Sequence, residues 1–272
     1  MLLHADLPLA RRVESAFARM VAAFVEALTV DRADLGGTTL SVAGGVAAFA
    51  GVGSPITQAV GLGMDGPVSE SDLDRLEAFY FDRESPVRVI VCPLADPSLA
   101  AGLGARGYWP VEFENLLIRR VEPGATGPEP PAGVVIEPST PAEAAIWSDV
   151  MAQGFAGHRE ATPDLGEIAR AIFGMELATS YLARVDGVAA GGASLYTSDG
   201  MAMLAGSSVL APYRNRGVHT AMLHARLVAA GRLGCDLAYM GAEPGSGSQR
   251  NVERLGFRVA YTRVGMLRER RG

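Results

Sequence analysis

The stretch Val209–Leu227, VLAPYRNRGVHTAMLHARL, sets Arg214, Arg216 and Gly217 between an apolar run and a helical one. Two cations and a glycine at a strand-to-helix joint suit the binding of an anion. A strand ending near Leu210 and a helix starting near residue 219 leave the amides of Asn215, Arg216, Gly217, Val218, His219 and Thr220 without regular partners. Aligned peptide dipoles make the same helix start partly positive. Gly217 lets the backbone approach a ligand because no Cβ stands in the way. Arg214 and Arg216 are expected to add charge-assisted bonds to phosphate oxygens. The expected guest is a diphosphate lying across the helix N-terminus. A nucleoside-triphosphate P-loop does not fit, since no lysine follows a glycine pair.

The joint has to be held by its neighbours. Upstream of it, SYLARVDGVAAGGASLYTSDGMAMLAGSSVL reads as three antiparallel strands, with Asp186-Gly187 and Asp199-Gly200 as hairpin turns. Before those come a strand, VVIEP, and two helices, TPAEAAIWSDVMAQGF and PDLGEIARAIFGM, the first opened by Thr140 and Pro141. Downstream come a helix to about Leu233, the strand CDLAYMGA, the short helix GSQRNVERLG, and the strands FRVAY and VGMLRER.

The segment VEPGATGPEPPAG, 121–133, holds four prolines and three glycines. Proline fixes φ and removes a donor, so neither helix nor sheet continues there. This predicts a first domain over 1–122, a linker over 123–133 and a second domain over 134–272. The first half begins with a helix whose apolar residues fall at helical spacing: Val13, Phe17, Met20, Val21, Phe24 and Leu28. TTLSVAGGVAAFAG reads as a strand pair. SESDLDRLEAFYFDRE is a helix opened by Ser69 and Asp72 in a near capping box. VRVIVCPL is a buried strand, DPSLAAGLGARG a short helix capped by Asp96, and YWPVEFENLLIRR a closing strand. Both halves end with a short helix, a glycine stop, an aromatic and a strand, which suggests an internal duplication. In the first half the place of RNRGVH is taken by the acidic GLGMDGPVSESDLD.

The formal net charge of −6 argues against a protein built to coat nucleic acid. No apolar run approaches the length of a membrane span, and MLLHADLPLARR lacks the build of a signal peptide. A cytoplasmic location is the expectation. Cys92 and Cys235, the two cysteines, are expected to be reduced and buried. No Cys/His cluster suggests a metal.

VLAPYRNRGVHTAMLHARL followed by RLGF resembles the GCN5-related N-acetyltransferases, whose cofactor loop follows [Q/R]-x-x-G-x-[G/A]. Arg214 and Gly217 match it, and His219 stands where glycine or alanine is usual. The resemblance covers 134–270 by motif and 1–120 only as an order of elements. It implies a tandem protein whose first copy has lost the cofactor loop. The implied fold class is α+β: two domains, each a mixed, mainly antiparallel sheet flanked by helices.

The resemblance implies a reaction as well. Acetyl-CoA would lie in a V-shaped gap between the strand ending at Val209-Leu210 and the strand ending at Gly241-Ala242. Amides of the first strand would hold the pantetheine and the acetyl carbonyl, and Ser248 would lie against the cofactor. A primary amine, on a small molecule or a peptide, would attack the thioester directly while a base takes its proton and an acid serves the thiolate. Val252 stands where the family often has a tyrosine acid, Gly245 where an asparagine is common, and MAMLAGSSVL carries no carboxylate. Glu243 and His158 are the candidate catalytic residues, with Glu160 near the latter. The alternative is an inactive module of the same fold that binds acyl-CoA or a protein. A monomer or a homodimer is compatible with the sequence.

Overall fold

The first helix, α1 (Leu7–Asp31), starts where Asp6 accepts a hydrogen bond from the Leu9 amide at 2.9 Å, with Pro8 in its first turn. Its inner face buries Val13, Phe17, Met20, Val21, Phe24 and Leu28, the residues its periodicity singles out. In this computed structural model residues 5–157 and 163–270 are described. They fall into two units: Met1–Ile118 with Gly241–Gly272, and Arg119–Met240.

In the first unit, α1 leads to β1 (Thr38–Val42) and β2 (Gly45–Phe49), joined at Ala43-Gly44 with φ of 49° and 78°. Both positive values give the two-residue turn that matches strand twist. β3 (Gln58–Val60), α2 (Glu70–Phe81), β4 (Val87–Val91), α3 (Pro97–Ala105) and β5 (Trp109–Arg120) follow. Ser69 and Asp72 close a full capping box on α2, and Asp96 caps α3 with Pro97 as its first residue. Leu73, Leu76 and Tyr80 of α2 and Leu99 and Leu103 of α3 are buried against Val87 and Val89 of β4. Burying an aliphatic side chain of this size contributes about 1.5–3 kcal/mol.

The second unit opens with β6 (Val134–Pro138), α4 (Ala144–Ala156) and α5 (Pro163–Gly174). A meander of β7 (Ala178–Val185), β8 (Val188–Ser198), β9 (Met201–Met203) and β10 (Ser207–Val209) comes next. Asp186-Gly187 and Asp199-Gly200 take positive φ at the two turns. α6 (Val218–Arg232) and β11 (Leu237–Ala242) complete it through Met240. The strand order is β11-β9-β8-β7-β6, with β10 also on β8. Among the described residues, the one parallel pairing in this unit is β9–β11. Trp147 of α4 is fully buried and donates from Nε1 to the Tyr181 carbonyl at 3.0 Å.

Two departures from the sequence reading concern connectivity. α7 (Gly247–Arg254) and β12 (Arg258–Arg268) pack in the first unit, although chain order groups 134–272 together. The reason is pairing: β12 lies between β4 and β5, antiparallel to both, in the order β1-β2-β3-β4-β12-β5. FRVAY and VGMLRER are also one strand with two register shifts rather than two strands. The register shifts absorb the break in alternation that made them look separate.

β12 is tied to α1 by a buried ion pair. Glu14 Oε1 accepts from Tyr261 Oη at 2.7 Å and from Arg263 Nε at 2.9 Å. Glu14 is 0% and Arg263 2% exposed. The guanidinium also donates to Glu114 Oε2 at 3.2 Å and lies 4.4 Å from the Phe17 ring centroid.

Cys92 and Cys235 are buried free thiols. Burial pushes the Cys92 thiol up to about 12, so it is protonated at neutral pH. No helix among the described residues is long and apolar enough to cross a membrane, and none of their His, Cys, Asp and Glu side chains form a metal-binding group.

Candidate functional site

The sheet next to the Asn215–Thr220 loop shows a break in pairing. β9 runs parallel to β11 as far as Met203–Tyr239, and the Leu204 amide still donates to the Tyr239 carbonyl at 3.0 Å. Beyond that point the chain follows β8 instead: Ser207, Ser208 and Val209 oppose Ala193, Gly192 and Gly191. Between Met203–Tyr196 and Ser207–Ala193 the register leaves residues 204–206 opposite 194–195, a bulge with Gly206 at φ 36°. The sequence reading made MAMLAGSSVL a single strand. The bulge is what lets β10 stay on β8 and part from β11.

Hydrogen-bond alternation then fixes which amides are free. Ser194 N donates to the Gly206 carbonyl at 3.0 Å, and Leu210 N donates to the Ala190 carbonyl at 2.9 Å. In an antiparallel pair, bonded and outward-facing residues alternate. Ser207 and Val209 therefore turn their amides away from β8. Close packing behind them needs small residues. A Cβ on Gly154 of α4 would come within 2.4 Å of Ser208 Oγ, and one on Gly192 within 2.8 Å of Met151 Sδ.

The loop itself leads from a single 3₁₀ turn, Ala211–Tyr213, into α6. The first bond of the helix is Ala221 N to the Gly217 carbonyl at 2.9 Å. Among the described residues the amides of Asn215–Thr220 donate to no carbonyl or side chain, and α6 has no side-chain cap. Asn215 and Gly217 have φ of 61° and 77°. The helix therefore starts with bare amides.

The arginines are placed differently from the expectation. Arg214 Nε donates to the Val209 carbonyl at 3.0 Å and its Nη2 to the Gly154 carbonyl at 3.3 Å. Its guanidinium ties the loop to the end of β10 and to α4, because both carbonyls sit where a regular element stops. Arg216 Nη2 lies 3.5 Å from Asp186 Oδ2 with both groups well exposed. Such a pair is weak and leaves the charge at the loop's surface. Gly217 also has a second reason to be glycine: a Cβ there would come within 2.8 Å of Pro131 Cγ. The proline-rich segment passes along α6, with Glu122 beside Gly231, Gly127 beside His224 and Val228, and Pro131 at Gly217.

Val218 is buried as the first residue of α6, and Thr220 is exposed. His219 lies between them with a buried Nδ1 that has no partner among the described residues. Burial, and after it the charge of Arg226, lower its pKa to about 4. At neutral pH the imidazole is uncharged, so the positive character of the loop comes from amides and Arg216. The unfolded chain binds a proton near pH 6.5 that the folded chain refuses until about pH 4. Folding stability should therefore fall as pH drops through that window, by on the order of 3 kcal/mol at its lower end. Urea melts from pH 7 to pH 4 measure this, and His219→Gln should flatten that part of the profile.

Glu243 is exposed, with its carbonyl accepting from the Ser246 amide at 3.1 Å. Ser248 is half-buried on α7. Both lie in Gly241–Gly272, the segment grouped with the first unit. His158 and Glu160 lie outside the described residues. Val252 is fully buried, a packing residue on α7.

Sequence reasoning missed Arg226. It occupies the buried row Val218, Met222, Arg226, Ala230 of α6 and is itself 0% exposed. Its Nη1 donates to the Ser194 carbonyl at 2.9 Å and to the Ala205 carbonyl at 3.1 Å, and its Nε to Met222 at 3.2 Å. The signal available was a cation in an apolar row at helical spacing.

The site thus combines a mixed sheet whose parallel pair parts at a bulge with a following helix whose first amides are bare. Residues 144–257 match the model of the acetyltransferase (GNAT) family. The chain as a whole has the fold of two GNAT-like domains. A GCN5-related N-acetyltransferase from Kribbella flavida superposes with a TM-score of 0.63 at 22% identity, covering 94% of this chain and 96% of that one. A tandem GNAT protein from the clavulanic acid biosynthesis pathway gives 0.60 at 18% identity, covering 97% and 96%. A GCN5-related N-acetyltransferase from Sphaerobacter thermophilus gives 0.56 at 20% identity over 75% of this chain and 66% of its own. No curated protein matches the chain.

Proposed function

We propose that the protein transfers an acetyl group from acetyl-CoA to a primary amine of a small molecule or a peptide. The observation that carries this is the run of undonated amides at Asn215–Thr220, beside a strand whose Ser207 and Val209 amides face away from β8. The loop amides would hold the diphosphate, with Arg216 adding surface charge. Val209 and its neighbour Leu210 would line the pantetheine arm, and Ser248 is proposed to rest against it. An amide donor aimed at the thioester oxygen stabilises the charge that develops there during attack. Glu243 and His158 are the proposed proton acceptors, and the amine must be neutral to attack.

Residues 1–122 are proposed as a degenerate copy without the cofactor loop. At the place corresponding to the loop, the start of α2 is closed by its own carboxylate: Asp72 N donates to Ser69 Oγ at 3.1 Å and Ser69 N to Asp72 Oδ2 at 3.1 Å. Glu70 and Asp72 fill the first turn with negative charge. An anion meets two carboxylates there in place of an uncapped helix start. Residues 123–133 serve as the proposed linker, and a cytoplasmic location agrees with the buried free thiols.

The test is incubation of the full chain with acetyl-CoA and a panel of amines, reading free thiol against a control lacking amine. Amine-dependent thiol release is expected. CoA binding without release under any amine would favour a binding module of the same fold, and absence of CoA binding would remove the reading.

A further inference from the structure

We propose that Arg226 is a positioning residue for this site. Its guanidinium holds the bulge between β9 and β10, and so fixes which amides of β10 face an acyl-CoA arm. The inference rests on the reading of Asn215–Thr220 as a CoA site and adds a residue to it.

The position itself calls for explanation. Val218, Met222 and Ala230 in the same row of α6 are apolar and buried. A leucine or methionine would pack there without the cost of stripping water from a cation. Among the described residues no carboxylate pairs with Arg226; its partners are carbonyls. Two of them come from the two strands that face each other across the bulge, Ser194 on β8 and Ala205 between β9 and β10. An apolar side chain cannot join those strands.

The bulge carbonyl is also the most heavily used acceptor nearby. Ala205 O receives Ser194 N at 3.2 Å, Ser194 Oγ at 3.1 Å and Arg226 Nη1 at 3.1 Å. These bonds keep residues 204–206 opposite 194–195. Strand register is otherwise weakly specified where side chains are small, and β8 here reads Ala189-Ala190-Gly191-Gly192-Ala193. A slip of one residue in β10 would turn the amides of Ser208 and Leu210 outward in place of Ser207 and Val209. It would leave the loop amides unchanged, because their freedom comes from the start of α6. Arg226 thus acts on the part of the site that meets the pantetheine and acyl group, and not on the part that meets the diphosphate.

That division gives the experiment. Dissociation constants of CoA and of 3′-phospho-ADP, its nucleotide portion, are measured by calorimetry for the wild type and for Arg226→Met, with thermal melts as the fold control. Arg226→Met is expected to weaken CoA about tenfold or more and 3′-phospho-ADP less than twofold. Equal weakening of both ligands, or of neither, overturns the proposal. Should Arg226→Met fail to fold, Ser194→Ala, which removes one bond to Ala205 O, is read the same way, with a selective CoA loss of about threefold expected and a uniform or absent loss overturning it. Wild-type protein that binds neither ligand removes the loop reading and this proposal with it. Wild-type protein that binds both equally well overturns the role of β10 alone.

Discussion

Gly217→Glu is expected to abolish CoA binding, with affinity falling at least 100-fold, while the rest of the chain stays folded. Three effects act together. Gly217 has a φ of 77°, a conformation that costs an L-residue about 1–2 kcal/mol. A Cβ would reach 2.8 Å from Pro131 Cγ, so the proline-rich segment or the loop has to shift. The new carboxylate then sits at the bare amides of α6, where it both repels a diphosphate and takes its donors. Calorimetry with CoA measures the loss, and circular dichroism checks the fold. Gly217→Ala keeps the first two effects only and should weaken binding less. Pairing Gly217→Ala with Pro131→Gly should recover the steric share and leave the backbone strain. Affinity unchanged in Gly217→Glu would place CoA elsewhere on the protein.

Removing one half of the Glu14–Arg263 pair should cost about 3–5 kcal/mol of folding stability, because the other half stays buried and charged without its partner. Glu14→Ala also strands the Tyr261 hydroxyl, which donates to Glu14 at 2.7 Å. Arg263→Ala leaves the buried Glu14 with the Tyr261 hydroxyl alone and removes the cation beside Glu114. Replacing both at once, Glu14→Leu with Arg263→Met, should be far milder than the sum of the single changes. Glu14 Oε2 and Arg263 Nη2 already lack partners, so the pair is incompletely satisfied and an apolar replacement gives up little. Urea unfolding of the single and double variants measures the coupling. Additive single losses would show that the pair does not act as a unit.

Local signals carried most of the fold. Asp96 and Pro97, Ser69 and Asp72, and the Asp-Gly turns at 186 and 199 act within a few residues of themselves, and each stands in the structure where its chemistry places it. The loop was legible for the same reason: a strand end, a proline, a glycine and a helix start lie within a dozen residues. β3 was not legible, since Gln58–Val60 is short and embedded in glycine-rich sequence that suits several conformations. The place of β12 was not legible either, because strand pairing across a long separation leaves no local mark in composition.

In the site, the sequence showed which residue types stand at the joint but not where their side chains turn. Arg214 looked like an anion ligand and is occupied with the Val209 and Gly154 carbonyls. Gly217 was read as clearing space for a phosphate and also clears space for Pro131. The bulge at 204–206 depends on register against β8, which a one-dimensional reading of MAMLAGSSVL as a strand hides.

The placement of β12 has a consequence for how the protein is made. On a ribosome, β4 and β5 emerge early, yet the strand that joins them follows only after the whole of the second unit has been translated. At ordinary elongation speeds that interval is on the order of ten seconds. Throughout it the nascent chain carries two open strand edges, the kind of surface that recruits holding chaperones or pairs with a neighbouring nascent chain.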